Sequence, residues 1–172
     1  MNNLFFDISK LKFLGNNVII GKTVRIRNPE RVIIHDNVII DDFTYISCGM
    51  EIGKCCHIAS NNSISGGAGN LIMGEYSTIS NHCSVHCASS DYRNFSLDLP
   101  SVPEEKRYGG KVEDVMIGSY VVVGAHSCIL PGSILPDGTA FGAYTLIDNK
   151  NLIKNHLYVG TKCCRDLGER KR

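Results

Sequence analysis

Between residues 82 and 92 the chain reads His82-Cys83-Ser84-Val85-His86-Cys87-Ala88-Ser89-Ser90-Asp91-Tyr92, its densest run of groups able to do chemistry. An imidazole or a carboxylate there can take a proton from an attacking hydroxyl or amine. Asp91 and His86 are the two candidates for that role, each alone or with Asp91 orienting His86. His82, and His126 further along, are two more imidazoles that could face the same groove. Ser90 and Tyr92 flank Asp91 and offer hydroxyls to a polar acceptor. The spacing His82-Cys83-x-x-His86-Cys87 also suggests zinc, which takes such ligands. In an extended segment, however, neighbouring side chains point to opposite faces. His82 and Cys83 would then diverge, and no metal is expected. A nucleophilic thiol is the remaining option. Cysteine is usually buried and inert, and Cys87 is the one member of this run left open for that role.

These residues lie on a repeat. Aliphatic side chains recur every six positions: Leu14, Ile20 and Ile26, then Ile34, Ile40, Ile46, Ile52, Ile58 and Ile64. The series restarts at Met73, Ile79 and Val85, and again from Ile117 through Val123, Ile129, Leu135, Phe141 and Ile147. Glycine often follows the aliphatic residue, as at Gly53, Gly74, Gly118 and Gly124. Four positions after the aliphatic residue sits a small or β-branched one, such as Cys56, Ser77, Val121 or Thr145. A period of six is not helical, but it is a multiple of the strand period of two. Each hexad therefore reads as a short strand and a corner, with glycine expected to relieve the corner by accepting positive φ. Three hexads close a triangular coil. Coils stack in parallel at about 4.8 Å, with the aliphatic residues in inward columns, each worth roughly 1.5–3 kcal/mol when buried.

The repeat breaks in three places. A short slip surrounds Pro29, and a second falls in Gly66-Gly67-Ala68-Gly69. The third, about residues 88–114, is polar and proline-bearing, and it reads as a long loop thrown out from the coils. Loops of that length in a compact domain commonly serve function, and this one begins where the chemical run ends.

Size and composition set outer bounds. The 172 residues suit one domain: a cap over 1–13, coils over 14–147 and a second cap over 148–172. Eighteen basic against seventeen acidic residues leave a net charge near +1, which gives no footprint for nucleic acid. No apolar run approaches the roughly 20 residues of a membrane span, so no stable membrane insertion is expected. Leu4-Phe5-Phe6 is interrupted by Asp7 and Lys10 before it reaches signal-peptide length. Eight cysteines without such a signal read as reduced thiols of a cytoplasmic protein.

Ile52-Gly53-Lys54-Cys55-Cys56, Met73-Gly74-Glu75-Tyr76-Ser77, Ile117-Gly118-Ser119-Tyr120-Val121 and Val123-Gly124-Ala125-His126-Ser127 resemble the repeats of the hexapeptide-repeat acyltransferases. The likeness spans residues 14–147. It implies an all-β fold, a left-handed parallel β-helix, and a homotrimer in which the long loop reaches a neighbouring subunit. It implies acetyl-CoA as acyl donor and a sugar as acceptor. The first expectation is O-acetylation of a sugar hydroxyl in surface-polysaccharide synthesis. The alternatives are N-acetylation of a nucleotide-linked amino sugar and a non-catalytic scaffold. Where many members of the family place a catalytic histidine, this chain has Ser90 and Asp91. Pantetheine would run along the last coils, past Gly124, Ala125, Gly142 and Ala143. Tyr158-Val159-Gly160 resembles the tail that closes the coils, and Lys162 and Arg165 just beyond it would meet the CoA phosphates.

Overall fold

The computed structural model describes residues 3–148 and 152–161, together with the backbone of residues 165–169. Its strands are mostly two to four residues long and assemble into three parallel faces of a solenoid. Face A stacks Phe13–Leu14, Val32–Ile34, Gly49–Ile52, Asn70–Met73, Val115–Ile117 and Ile134–Leu135. Face B stacks Ile19–Ile20, Ile39–Ile40, His57–Ile58, Thr78–Ile79, Val122–Val123, Ala140–Phe141 and His156–Val159, with Arg165–Glu169 added antiparallel at its end. Face C stacks Arg25–Ile26, Tyr45–Ile46, Ser63–Ser65, Ser84–His86, Cys128–Ile129 and Leu146–Ile147.

The hexad positions are the register of these faces. Ile34 pairs with Ile52, Ile52 with Met73, and Met73 with Ile117. On face B, Ile58 pairs with Ile79 and Ile79 with Val123. On face C, Ile64 pairs with Val85 and Val85 with Ile129. These columns are buried and form one continuous core. Leu14, in the first coil, is the exception, 39% exposed. Phe6 and Leu11, before that coil, pack against the core from its end.

The hexad glycines serve a purpose other than the one their sequence suggests. The positive-φ corners fall two residues later, on Asn37, Cys55, Tyr76, His82, Tyr120, His126 and Tyr144, and the hexad glycines are absent from that set. A left-handed conformation costs an L-residue roughly 1–2 kcal/mol, and here it aims the amide at the preceding coil. Tyr76 N donates to Lys54 O (3.0 Å), His126 N to Asn81 O (3.1 Å) and Tyr144 N to Ala125 O (2.9 Å). Glycine is required at the hexad position by close stacking instead. A Cβ on Gly53 would stand 2.8 Å from Glu75 N, and one on Gly118 would stand 2.7 Å from Asp137 N. The small residues at the fourth position are buried and tie coils together. Cys56 Sγ donates to Gly74 O (2.9 Å), Ser77 Oγ to Gly118 O (2.8 Å) and Ser127 Oγ to Gly142 O (3.2 Å).

The long excursion leaves face C after Cys87 and rejoins face A at Val115. Its base is a short antiparallel pair, Ala88–Ser89 with Lys111–Val112, closed by Glu113 N donating to Cys87 O (3.0 Å). Further out, Leu97 and Tyr108 exchange backbone hydrogen bonds of 2.9 and 3.2 Å. The Gly66–Gly69 bulge below is held by Arg31, whose guanidinium donates to the carbonyls of Gly67, Ala68 and Gly69 at 2.6–3.2 Å. Asn70 then donates from its backbone and its amide to Asp114 Oδ1, 2.8 and 3.0 Å. Bulge and excursion root are thereby fixed to each other.

Candidate active site

On face C the inward positions are Ile64, Val85 and Ile129, all fully buried. Strand alternation therefore turns Ser63, Ser65, Ser84, His86 and Cys128 outward. Ser63 pairs with Ser84, Ser65 with His86, and Ser84 with Cys128. His86 thus lies between two coils. Its Nδ1 is 3.2 Å from Ser65 Oγ on the coil below, and the Cys128 thiol lies diagonally across on the coil above, where Cys128 pairs with Ser84. The Cys128 thiol beside it raises the His86 pKa above the ordinary imidazole value against the opposing effect of burial. The imidazole in turn draws the Cys128 thiol below its ordinary range. Ser65, His86 and Cys128 are all half-buried, and the excursion begins two residues after His86.

Asp91 is placed differently from the pairing considered above. Its carboxylate accepts from Arg93 N (2.9 Å), Asn94 N (3.1 Å) and Asn94 Nδ2 (2.7 Å). These bonds, the Asn94 side chain foremost, hold its pKa below the usual carboxylate value. Asp91 therefore shapes the turn at the loop entrance, and Ser65, not Asp91, contacts His86. Ser90 is exposed and Tyr92 is 89% exposed on the same turn.

His82 and His126 form a separate cluster. At the corner between faces B and C they stack at 4.9 Å, and His126 stacks on Tyr144 at 4.7 Å. Cys83 is buried and its thiol donates to Gly124 O (3.2 Å), so the four residues of the zinc-like spacing diverge. Among the described residues no group of three or more His, Cys, Asp or Glu side chains converges as a metal site. Cys87 is fully buried and donates to Asn70 O (3.3 Å). Its hydrogen bond with Cys48 and its burial push its pKa far up, which removes it as a nucleophile.

Gly124 and Gly142, expected beside pantetheine, are small for the sake of the coil above. A Cβ on Gly124 would meet Ala143 N at 2.5 Å, and one on Gly142 would meet Val159 Cγ1 at 2.7 Å. Ala125 is half-buried and Ala143 exposed at the solvent side of that corner. Lys162 and the Arg165 side chain lie outside the described residues. Sequence reasoning missed Cys128 and Ser65. Both occupy outward positions on the strands either side of His86, a relation that becomes visible only once coils are aligned through the two breaks.

No family model matches the chain. A dTDP-4-amino-4,6-dideoxy-D-glucose acyltransferase from Escherichia coli is 33% identical over 141 residues, covering 79% of this chain and 71% of that protein. The chain belongs to the hexapeptide-repeat sugar acyltransferases. AntD, an N-acyltransferase from Bacillus cereus solved with dTDP and 3-hydroxybutyryl-CoA, is 32% identical over all of this chain and 92% of its own, with a TM-score of 0.87. The Vibrio cholerae hexapeptide-repeat acetyltransferase VCA0836, solved with acetyl-CoA, is 15% identical over 95% of this chain and 74% of its own (TM-score 0.64), a likeness of fold. Membership sets aside the scaffold reading for this acyltransferase. The two relatives above 30% identity are an amino-sugar acyltransferase and an N-acyltransferase by name, which favours the second reading over O-acetylation of a hydroxyl. No helix among the described residues of this acyltransferase is long and apolar enough to cross a membrane.

Proposed function

We propose that this acyltransferase moves an acyl group from an acyl-CoA thioester to the amino group of a nucleotide-linked amino sugar, working as a homotrimer. The observation that carries the acceptor class is the full-length likeness to AntD, an N-acyltransferase solved with dTDP and an acyl-CoA. The site agrees with it. An amine can shed its proton after attacking the carbonyl, so one imidazole near neutrality suffices, and His86 supplies it. Asp91 contributes by fixing the turn that presents Ser90 and Tyr92 to the acceptor. Pantetheine would follow the solvent side of Gly124-Ala125 and Gly142-Ala143, and Lys162 and Arg165 would meet the CoA phosphates by charge.

Two surfaces support self-association. On the outside of face A, Ile72 pairs with Met116 and Met116 with Ile134, and all three are exposed. On the excursion, Phe95 is 99% exposed and Leu99 and Tyr108 are also solvent-facing. A contiguous apolar ladder and an apolar loop tip are what an interface would bury.

The test is a release assay for CoA thiol with acetyl-CoA and either dTDP-4-amino-4,6-dideoxyglucose or the matching 4-hydroxy sugar nucleotide. Turnover with the amine and none with the hydroxyl is expected. Comparable rates with the hydroxyl would return the acceptor to the first expectation. Light scattering checks the trimer, and a monomer at working concentration counts against it.

A further inference from the structure

The first coil and the segment before it carry a charge balance that the next coils reverse. Lys10, Lys12, Lys22, Arg25 and Arg27 are all exposed at this end of the solenoid, against the exposed acids Asp7 and Glu30. Between residues 32 and 87 the only Lys or Arg is Lys54, against Asp36, Asp41, Asp42, Glu51 and Glu75. Two of the acids nearest the basic end are engaged with backbone. Asp36 Oδ1 accepts from Asn16 N (2.6 Å) and Asp42 Oδ1 from Thr23 N (2.8 Å). Asp7 caps its own turn, accepting from Ser9 N (3.0 Å) and Ser9 Oγ (2.7 Å). None of the five cations forms an ion pair among the described residues. Apolar groups stand among them. Leu4 and Phe5 are 70% and 56% exposed, yet their turn is fixed. Asn3 Nδ2 donates to Gly21 O (3.0 Å) and Val24 O (2.9 Å), and its Oδ1 accepts from Phe5 N (2.8 Å) and Phe6 N (3.1 Å). Leu4 N donates to Lys22 O (2.9 Å), while Phe6 turns in against the core. The chain thus holds two large apolar side chains in solvent beside a lysine.

We propose that this end of the solenoid docks reversibly on an anionic lipid bilayer, with Leu4 and Phe5 in the headgroup layer and the surrounding cations on lipid phosphates. The inference goes beyond acyl transfer and does not depend on it. A bilayer surface supplies both things this end lacks, fixed negative charge and an apolar layer just beneath it. A nucleic acid would satisfy the cations and leave Leu4 and Phe5 in water. The contact stays within the interface, and no segment crosses the membrane. Each cation at an anionic surface strengthens binding by about fivefold, and salt screens that part. The two apolar side chains add a part that salt does not screen. Because the Asn3 bonds already hold the turn, little order is lost on docking. His86 lies three coils further along face C, about 14 Å from the docked end, so the acyl-transfer site stays open.

The experiment is co-sedimentation of the full chain with vesicles, either equal parts phosphatidylglycerol and phosphatidylcholine or phosphatidylcholine alone. Wild type should pellet with the anionic vesicles at about 0.05 M salt, bind at least about tenfold more weakly at about 0.5 M, and ignore phosphatidylcholine. Lys10→Gln, Lys12→Gln and Lys22→Gln combined should weaken binding about 100-fold. Lys54→Gln with Lys106→Gln, which removes charge elsewhere, should leave it unchanged. Leu4→Ser with Phe5→Ser keeps the charge and should weaken binding at least about tenfold. Phe5→Ser alone serves if the double variant melts below wild type. Without vesicles, all these variants should release CoA thiol at the wild-type rate, which separates docking from acyl transfer. Wild type that stays in solution with anionic vesicles overturns the inference. So does equal weakening by the Lys54 and Lys106 changes, or binding indifferent to the loss of Leu4 and Phe5. Binding to duplex DNA that the triple lysine variant loses, with vesicles ignored, assigns this end to a nucleic acid and overturns the inference as well.

Discussion

The coil from Met73 to Val85 and the excursion that follows it adjoin in sequence and obey opposite rules. In the coil a side chain's fate depends on its place in the hexad. Ile79 and Val85 are fully buried, Ser77 ties one coil to the next, and Ser84 and His86 face outward. In the excursion position gives no such rule, and Tyr92, Phe95 and Tyr108 stand in solvent. A stack of coils buries its own apolar surface and needs nothing else. The excursion holds its shape through a few backbone and side-chain bonds, such as Arg107 Nε to Val102 O (2.6 Å), and leaves its apolar groups exposed. The difference separates a region stabilised by its own stacking from one stabilised by a few local bonds.

The largest break in that comparison should come from the core. Ile79→Ala is expected to cost about 2–5 kcal/mol in urea unfolding, whereas Phe95→Ala should stay within about 0.5 kcal/mol in the dissociated chain. Equal costs would mean that the excursion is part of the core. Next, His86→Asn should lower kcat/KM by at least ~100-fold with little change in melting, while His82→Asn, in the corner stack, should retain most activity. The wild-type kcat/KM should rise with pH through a midpoint above the ordinary imidazole value of 6.5, because Cys128 favours protonated His86 and the base must be neutral. A midpoint below 6.5 would detach His86 from the rate.

A smaller effect is expected at Ser77, whose hydroxyl donates to Gly118 O (2.8 Å) and accepts from Val121 N (2.9 Å). Ser77→Ala leaves a buried amide without that acceptor and should cost about 1–3 kcal/mol, read by chemical denaturation. The smallest belongs to the excursion. Hydrogen bonds from Asn94 and Arg93 hold the Asp91 pKa below the ordinary carboxylate value of 3.8, so its cap is complete above 3.8 and is lost as pH falls through that lower folded value. Limited proteolysis between residues 92 and 108 should accelerate only below that point, and in Asp91→Ala at neutral pH. Unchanged cleavage of Asp91→Ala would show that the turn does not hold the excursion.

Much of this was legible because a solenoid is quasi-one-dimensional. Ile52, Met73 and Ile117 announce their column by spacing alone, and the excursion announces itself by breaking the period. The glycines misled because two physical reasons share one residue type: freedom at positive φ, and room for a stacked backbone. Gly53 and Gly118 serve the second, and the first is met by Cys55 and Tyr120. Of the candidate site, the sequence made His86 and Asp91 visible by type, but not that Ser65 is the residue in contact with His86 or that Asp91 accepts from Arg93 and Asn94.

The sequence by itself determined the repeat, the inward columns, the point where the loop leaves and the chemical run at its root. These follow from local periodicity, which a strand converts directly into inward and outward faces. The tertiary structure decided which outward groups meet. Ser65, His86 and Cys128 are separated by 21 and 42 positions, the second interval swollen by the whole excursion. Only the stacking of coils, set by backbone hydrogen bonds between non-adjacent segments, brings them to one place.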